Sequence, residues 1–258
     1  MDVGGDEWRK RGRLADWPID NRSQLTKLPH KSFVSCTPGA GLFDNGELLL
    51  PPVYPILDAT TLSQRGVAVE LAAEAFLEGG ARILQFRHKE LWTRDTYVVA
   101  QRVAELCAAA GATFVVNDRA DYAALLGAGL HVGQEDLLPS DARRVMQAGA
   151  LVGYSTHNAA QMVAAGEEPA DYVAFGPIFG TVSKERPDPT TGPERLREIR
   201  GLTGRPLVAI GGITRDNAMT CWKAGADSVA VIADMLPLSC TKQTLRDRMT
   251  EWQQLTKK

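Results

Sequence analysis

The residues of this chain best suited to chemistry cluster where short apolar runs end. Gln85-Phe86-Arg87-His88-Lys89 closes one such run. Side chains alternate across an extended strand, so Gln85, Arg87 and Lys89 share one direction and Phe86 points the other way. Two cations held side by side demand neutralisation, which a pyrophosphate or a pair of carboxylates supplies. A purely structural ion-pair cluster is the plainer alternative. Two further runs end in acids: Asp118 follows Val115-Val116-Asn117, and Asp136 follows His131-Val132-Gly133-Gln134-Glu135. A carboxylate just past a buried strand suits a hard divalent ion completed by a substrate phosphate, so Asp118 and Asp136 together suggest Mg2+. Each also has a local alternative, Asp118 as the cap of a following helix and Asp136 as the start of a turn ahead of Pro139.

Three other segments add polar groups. In Gly153-Tyr154-Ser155-Thr156-His157, Ser155 either bonds a ligand or caps the helix that begins near Asn158. Ser155 and His157, two positions apart, do not make a nucleophilic triad. His88 and His131 lack the HxH or HxxxH spacing of metal ligands, and read as packing or supporting groups. The stretch from Gly176-Pro177 through Thr181, Val182, Ser183 and Lys184 to Gly192 places two hydroxyls and a lysine in a loop long enough to act as a lid, and reads as an anion loop. Ile210-Gly211-Gly212 lets backbone approach a ligand closely, since glycine has no Cβ. Ile232 and Ala233 end the next apolar run. Loops of this kind late in a barrel form a phosphate cup from backbone N–H groups.

The elements that must position these groups repeat along the chain. Apolar, β-branched runs at 53–57, 82–86, 113–116, 129–132, 151–154, 172–175, 206–210 and 228–232 alternate with segments of helical period. The helical segments lie near 94–110, 120–127, 140–148, 158–166, 193–200, 215–224 and 241–255, after a first one ending at Gly79-Gly80. Eight consecutive βα units over residues 51–258 predict a closed (β/α)8 TIM barrel, with chemistry at the strand C-termini. A doubly wound open sheet is the rival; against it, Leu57-Asp58-Ala59-Thr60 stands where a GxGxxG turn belongs. Residues 1–50 carry seven basic and seven acidic side chains without a sustained period, and form an N-terminal extension: a leader, an oligomer arm or an upstream addition.

Composition narrows the partners. With 29 Lys and Arg against 31 Asp and Glu the net charge is −2, so no global field gathers nucleic acid or an anionic membrane. No run approaches the roughly 18 to 20 apolar residues of a membrane span. The start has no apolar signal core, and the 4 cysteines show no CxxC spacing. Both point to a cytoplasmic protein with reduced thiols, Cys107 among them in a helix core. Small molecules are the expected partners, and a homo-oligomer stays open.

QFRHK, VVNDRADYAALLGAGLHVGQED, GYSTH, GPIFGTVSKE, AIGGIT and GADSVAVIAD, in this order, resemble thiamine phosphate synthase over about residues 51–236. The resemblance implies a transferase that condenses an aminopyrimidine methyl diphosphate with a thiazole phosphate or its carboxylated form, and releases pyrophosphate. It implies that Gln85, Arg87, Lys89, Asn117 and Lys184 grip the pyrimidine diphosphate, with Ser155 against it and Asp118 and Asp136 holding Mg2+. The rest of 85–89, Phe86 and His88, is expected to line the same site. Thr181, Val182, Ser183, Gly212 and the backbone of Ile232 and Ala233 would receive the thiazole phosphate. Arg87, Lys89, Lys184 and Ser155 form the expected catalytic set. Ala233 stands where the family commonly has Ser, which removes a hydroxyl and keeps the N–H donor. Two rivals are a thiazole tautomerase of the sister family, which needs a proton shuttle, and a non-catalytic phosphometabolite-binding protein.

Overall fold

The alternating runs resolve into parallel strands with helices between them. The computed structural model describes residues 42–44, 46–180 and 189–257. Thr181, Val182, Ser183 and Lys184 of the expected anion loop, and most of the N-terminal extension, lie outside the described residues.

The strands in chain order are β1 (Phe43–Asp44), β2 (Glu47–Leu48), β3 (Val53–Asp58), β4 (Ile83–Arg87), β5 (Thr113–Asn117), β6 (Gly129–Val132), β7 (Val152–Thr156), β8 (Tyr172–Phe175), β9 (Leu207–Ala209) and β10 (Ser228–Val231). β3 to β10 pair side by side in parallel, and β10 returns to β3, closing the predicted (β/α)8 barrel. The helices are α1 (Ala59–Gln64), α2 (Val69–Glu78), α3 (Arg94–Ala109), α4 (Ala120–Leu126), α5 (Pro139–Ala142), α6 (Ala159–Ala165), α7 (Gly192–Arg200), α8 (Ala218–Lys223) and α9 (Lys242–Leu255). Cys107 is buried on α3, as expected. The fourth expected helix, near 140–148, is only α5. After it, Arg143 turns back to bond Pro169 O (3.0 Å) and Asp171 (2.6 Å), which ties the connection to the base of β8 instead of extending the helix.

Strand alternation divides the core in two. One phase, with Val53, Leu57, Phe86, Val116 and Val132, packs between the strands and helices. The other, with Tyr54, Ile83, Val115, Leu151, Tyr172 and Val208, fills the barrel interior. Both faces are buried, which explains why the strands read as nearly continuous apolar runs. Leu42 and Leu50, which flank the antiparallel pair β1 and β2, join the interior cluster. Barrel packing therefore begins before residue 51. Strands of two residues are too short to register as a sequence period.

Gly153 shows how closely the interior is filled: a Cβ there would lie 2.1 Å from Tyr172 Cζ. Gly153→Ala is therefore expected to displace the Tyr172 ring and lower stability by about 1–3 kcal/mol in urea denaturation. Gly204→Ala, where a Cβ meets nothing within 4 Å, should change it by less than about 0.5 kcal/mol.

Candidate active site at the strand C-termini

The C-terminal ends of β3, β4 and β5 bring two ion pairs to one rim. Asp58 ends β3 opposite Arg87, which ends β4. One Asp58 oxygen caps α1, accepting from Thr61 N (2.9 Å) and Thr61 Oγ1 (2.6 Å). The other accepts from Arg87 Nη1 at 2.5 Å. This pair is almost wholly desolvated, with Asp58 3% and Arg87 16% exposed. Lys89, two residues beyond β4, pairs with Asp118, and its side chain is half exposed. Of the two sources of neutralisation expected for Arg87 and Lys89, the protein's own carboxylates fill the role here. The Arg87 pair is locked by its cap; in the other pair Asp118 is largely buried, while the half-exposed Lys89 can exchange partners.

Asp118 is not a helix cap. Arg119 takes the N-cap position of α4, and no side-chain cap bond is made there. Asp118 instead has φ +66°, the single positive value among described non-glycine residues. Backbone held in this way typically stores of order 1–3 kcal/mol and marks functional sites. Burial pushes its carboxyl up to about 6, against the pull of Lys89 and with a further push from Asp136. The two acids thus interact. Asp136 accepts from Gly133 N at 2.7 Å, so it ends the turn over 133–136 rather than starting one ahead of Pro139. Beside them, the buried Asn117 Nδ2 donor has no partner among the described residues. A buried donor left unmade costs about 1–3 kcal/mol, which points to a ligand acceptor.

Ser155 is not a cap either. Asn158 caps α6, accepting from Gln161 N at 2.9 Å. Ser155 Oγ lies 2.8 Å from His131 Nε2. His131 is accordingly a supporting group, and His157 Nδ1 meets Gly176 O at 2.6 Å. Inside the barrel Gln85 Nε2 donates to Tyr54 OH (3.3 Å), and Tyr54 and Tyr172 join their hydroxyls at 3.0 Å. Burial raises both phenol pKa values far above the usual tyrosine range. Sequence reasoning missed these two tyrosines. Their signal was phase: Tyr54 lies two residues before Ile56 and four before Asp58, on the inward side of β3.

The expectation that Phe86 lines the substrate site is corrected. Its side chain, 1% exposed, belongs to the layer between strands and helices. Alternation along β4 sends it away from Gln85 and Arg87. It packs against His88 (centroids 6.2 Å apart) and Trp92 (5.5 Å). His88 follows Phe86, yet it reaches the rim, where with Lys89, Trp92 and Asp118 it lines a cavity of about 350 Å3.

Across the barrel mouth, Gly211 (φ +91°) and Gly212 (φ +63°) form the turn after β9. A Cβ on Gly212 would stand 2.3 Å from Gly180 O, and one on Gly211 2.4 Å from Pro177 Cβ. The loop after β8 is clamped to this turn through Ile178 N to Ile210 O (2.8 Å) and Phe179 N to Gly211 O (3.0 Å). The base of the segment leading to residues 181–184 is therefore fixed against Gly212. Ile232 is the N-cap of the 3-10 turn Ala233–Met235 on the neighbouring strand end.

Asp118 and Asp136 suit Mg2+ in their donor chemistry, since both offer hard carboxylate oxygens. Among the described residues no group of three or more His, Cys, Asp or Glu is placed to hold a metal. A Mg2+ ion held by these two acids would need its remaining ligands from substrate and water.

A parallel barrel with a charged rim over β3 to β6 and a glycine turn after β9 is a (β/α)8 architecture suited to phosphate chemistry at its strand C-termini. A family model described as thiamine monophosphate synthase matches residues 53–235. The thiamine-phosphate synthase of Koribacter versatilis (strain Ellin345) is 45% identical over 192 residues, 73% of this chain and 90% of the relative. That of Methanoculleus marisnigri is 44% identical over 201 residues, 76% of this chain and 94% of the relative. A solved thiamine phosphate pyrophosphorylase from Pyrococcus furiosus superposes with a TM-score of 0.67 at 30% identity, covering 80% of this chain and 95% of that one. The chain belongs to the thiamine monophosphate synthase family.

The Asp58 geometry carries a stability prediction. Asp58→Ala strands Arg87 and uncaps α1, and should cost about 3 kcal/mol in chemical denaturation. Asp121→Ala, which removes the exposed partner of Arg119, should cost less than about 1 kcal/mol.

Proposed function

We propose that this chain joins an aminopyrimidine methyl diphosphate to a thiazole phosphate, giving thiamine phosphate and pyrophosphate. Family membership supports the reaction. The observation that carries its location is the Asn117 donor, without a partner among the described residues, beside Arg87, Lys89 and the interacting acids Asp118 and Asp136.

In this reading Gln85, Arg87, Lys89, Asn117 and Lys184 hold the pyrimidine diphosphate, and Ser155 sits against it. Thr181, Val182, Ser183, Gly212 and the backbone of Ile232 and Ala233 receive the thiazole phosphate. The bond between the pyrimidine methylene and the diphosphate oxygen breaks with its electron pair on the diphosphate, and the ring amine delocalises the cation left behind. The thiazole nitrogen then forms the new C–N bond with its own lone pair, so no protein nucleophile is required. Arg87, Lys89 and Lys184 stabilise the departing charge, a role in which a single well-placed group contributes about 10²–10³ in rate. Asp118 and Asp136 would hold Mg2+, which would supply further charge neutralisation for the leaving diphosphate. Lys89 is the cation free to turn from Asp118 to the diphosphate, since its side chain is half exposed. The 4 cysteines without CxxC spacing support a reducing, cytoplasmic setting.

The test is a coupled pyrophosphate assay with both phosphorylated substrates and Mg2+, each left out in turn. Pyrophosphate should appear only in the complete mixture; release without the thiazole would mark a hydrolase instead. Asp118→Ala and Lys184→Ala should each lower kcat by about 10²–10³ with the melting temperature little changed. Wild-type rates in either variant at saturating Mg2+ would contradict the assignment.

A further inference from the structure

Five side chains form one unbroken hydrogen-bonded chain through the barrel interior. Gln85 Nε2 donates to Tyr54 OH (3.3 Å), and Tyr54 OH meets Tyr172 OH (3.0 Å). Tyr172 OH meets His131 Nδ1 (3.0 Å), and His131 Nε2 meets Ser155 Oγ (2.8 Å). All five residues are buried, none more than 8% exposed. The chain has a structural precondition at Gly153: Tyr172 reaches His131 across the space that any Cβ there would fill.

Counting protons gives the chain a direction. Each phenol has one proton to donate, and a neutral imidazole has one N–H and one acceptor nitrogen. Tyr54 accepts from Gln85, so its own proton is satisfied by Tyr172. The Tyr172 proton then goes to His131 Nδ1, which leaves the imidazole N–H on Nε2, donating to Ser155 Oγ. The reverse order strands the Tyr54 proton in a fully buried site, at the cost of an unmade bond. With its oxygen already accepting from His131, Ser155 has its proton left for a ligand.

We infer that Tyr54, Tyr172 and His131 are positioning residues that make Ser155 a hydrogen-bond donor to the substrate, so that it selects an acceptor, a ring nitrogen of the pyrimidine, over the exocyclic amine. This rests on the proposed reaction, in which Ser155 sits against the pyrimidine diphosphate. Tyr172 touches His131 and reaches Ser155 only through it.

The experiment is a double-mutant cycle of Tyr172→Phe and Ser155→Ala on the full chain, read as kcat/KM for the pyrimidine diphosphate and KM for the thiazole phosphate. Each single variant should lose about tenfold in kcat/KM, the worth of roughly one hydrogen bond, with KM for the thiazole phosphate unchanged. In the Ser155→Ala background, Tyr172→Phe should have no further effect. A pyrimidine diphosphate analogue with C–H in place of the ring nitrogen should be a poorer substrate for the wild type and equal to the parent substrate for both variants. As a second pair, His131→Gln, which restores an N–H toward Ser155, should stay within about threefold of wild type, whereas His131→Ala falls to the level of Ser155→Ala. Normal wild-type turnover with additive losses, or with undiminished preference for the ring nitrogen in Tyr172→Phe, overturns this inference alone. A wild-type chain that forms no thiamine phosphate overturns the functional reading and this inference together.

Discussion

The site depends on the alternation of side chains along parallel strands held in fixed register. In a closed barrel one phase of every strand faces an interior with no solvent, so each polar group placed there needs a partner. Its apolar part carries Ile83 and Val115, packed with Leu42, Leu50 and Leu151. Its polar part carries Tyr54, Gln85, Tyr172, His131 and Ser155, bonded to one another. At the rim it carries Asp58 and Arg87, aligned by the pairing of β3 with β4. Apolar packing thus passes into neutral hydrogen bonding and then into charge along a single side-chain phase.

The charged layer is balanced without a ligand, and its two ion pairs differ in kind. Arg87 is bound to a carboxylate that is itself committed to capping α1, so this cation is part of the scaffold and keeps a fixed direction. Lys89 and Asp118 form a pair that water reaches. Asp118, held at positive φ, interacts with Asp136 as well as with Lys89, and buried Asn117 adds a donor without an acceptor among the described residues. Rigid positive charge on one side, an exchangeable cation and two interacting acids on the other, suit a polyanion that arrives with a divalent ion and leaves with it.

Much of this was legible in the sequence because the strands are bounded by Gly, Pro and Asp and their polar ends follow directly. The barrel, the direction shared by Gln85 and Arg87, and the paired acids all come from local spacing. What was not legible depends on partners distant in the chain. Asp58 is unremarkable until β3 and β4 are set in register, and only then is it the counter-charge of Arg87. Tyr54 and Tyr172 look like ordinary core aromatics, since nothing local says their hydroxyls meet 118 residues apart. The buried ends of the hairpin at Leu42 and Leu50 were hidden by strands of two residues each. Phe86 was assigned to the site by proximity in sequence, although its own phase sends it outward.

The most direct test of the central claim is a crystal structure of the chain with Mg2+ and pyrophosphate. Asn117 Nδ2 should donate to a diphosphate oxygen, Asp118 and Asp136 should share one metal ion, and Lys89 should have left Asp118 for the anion while Arg87 keeps Asp58. Pyrophosphate bound away from the ends of β4 and β5, with Asn117 still unpartnered and Lys89 still on Asp118, would contradict the account.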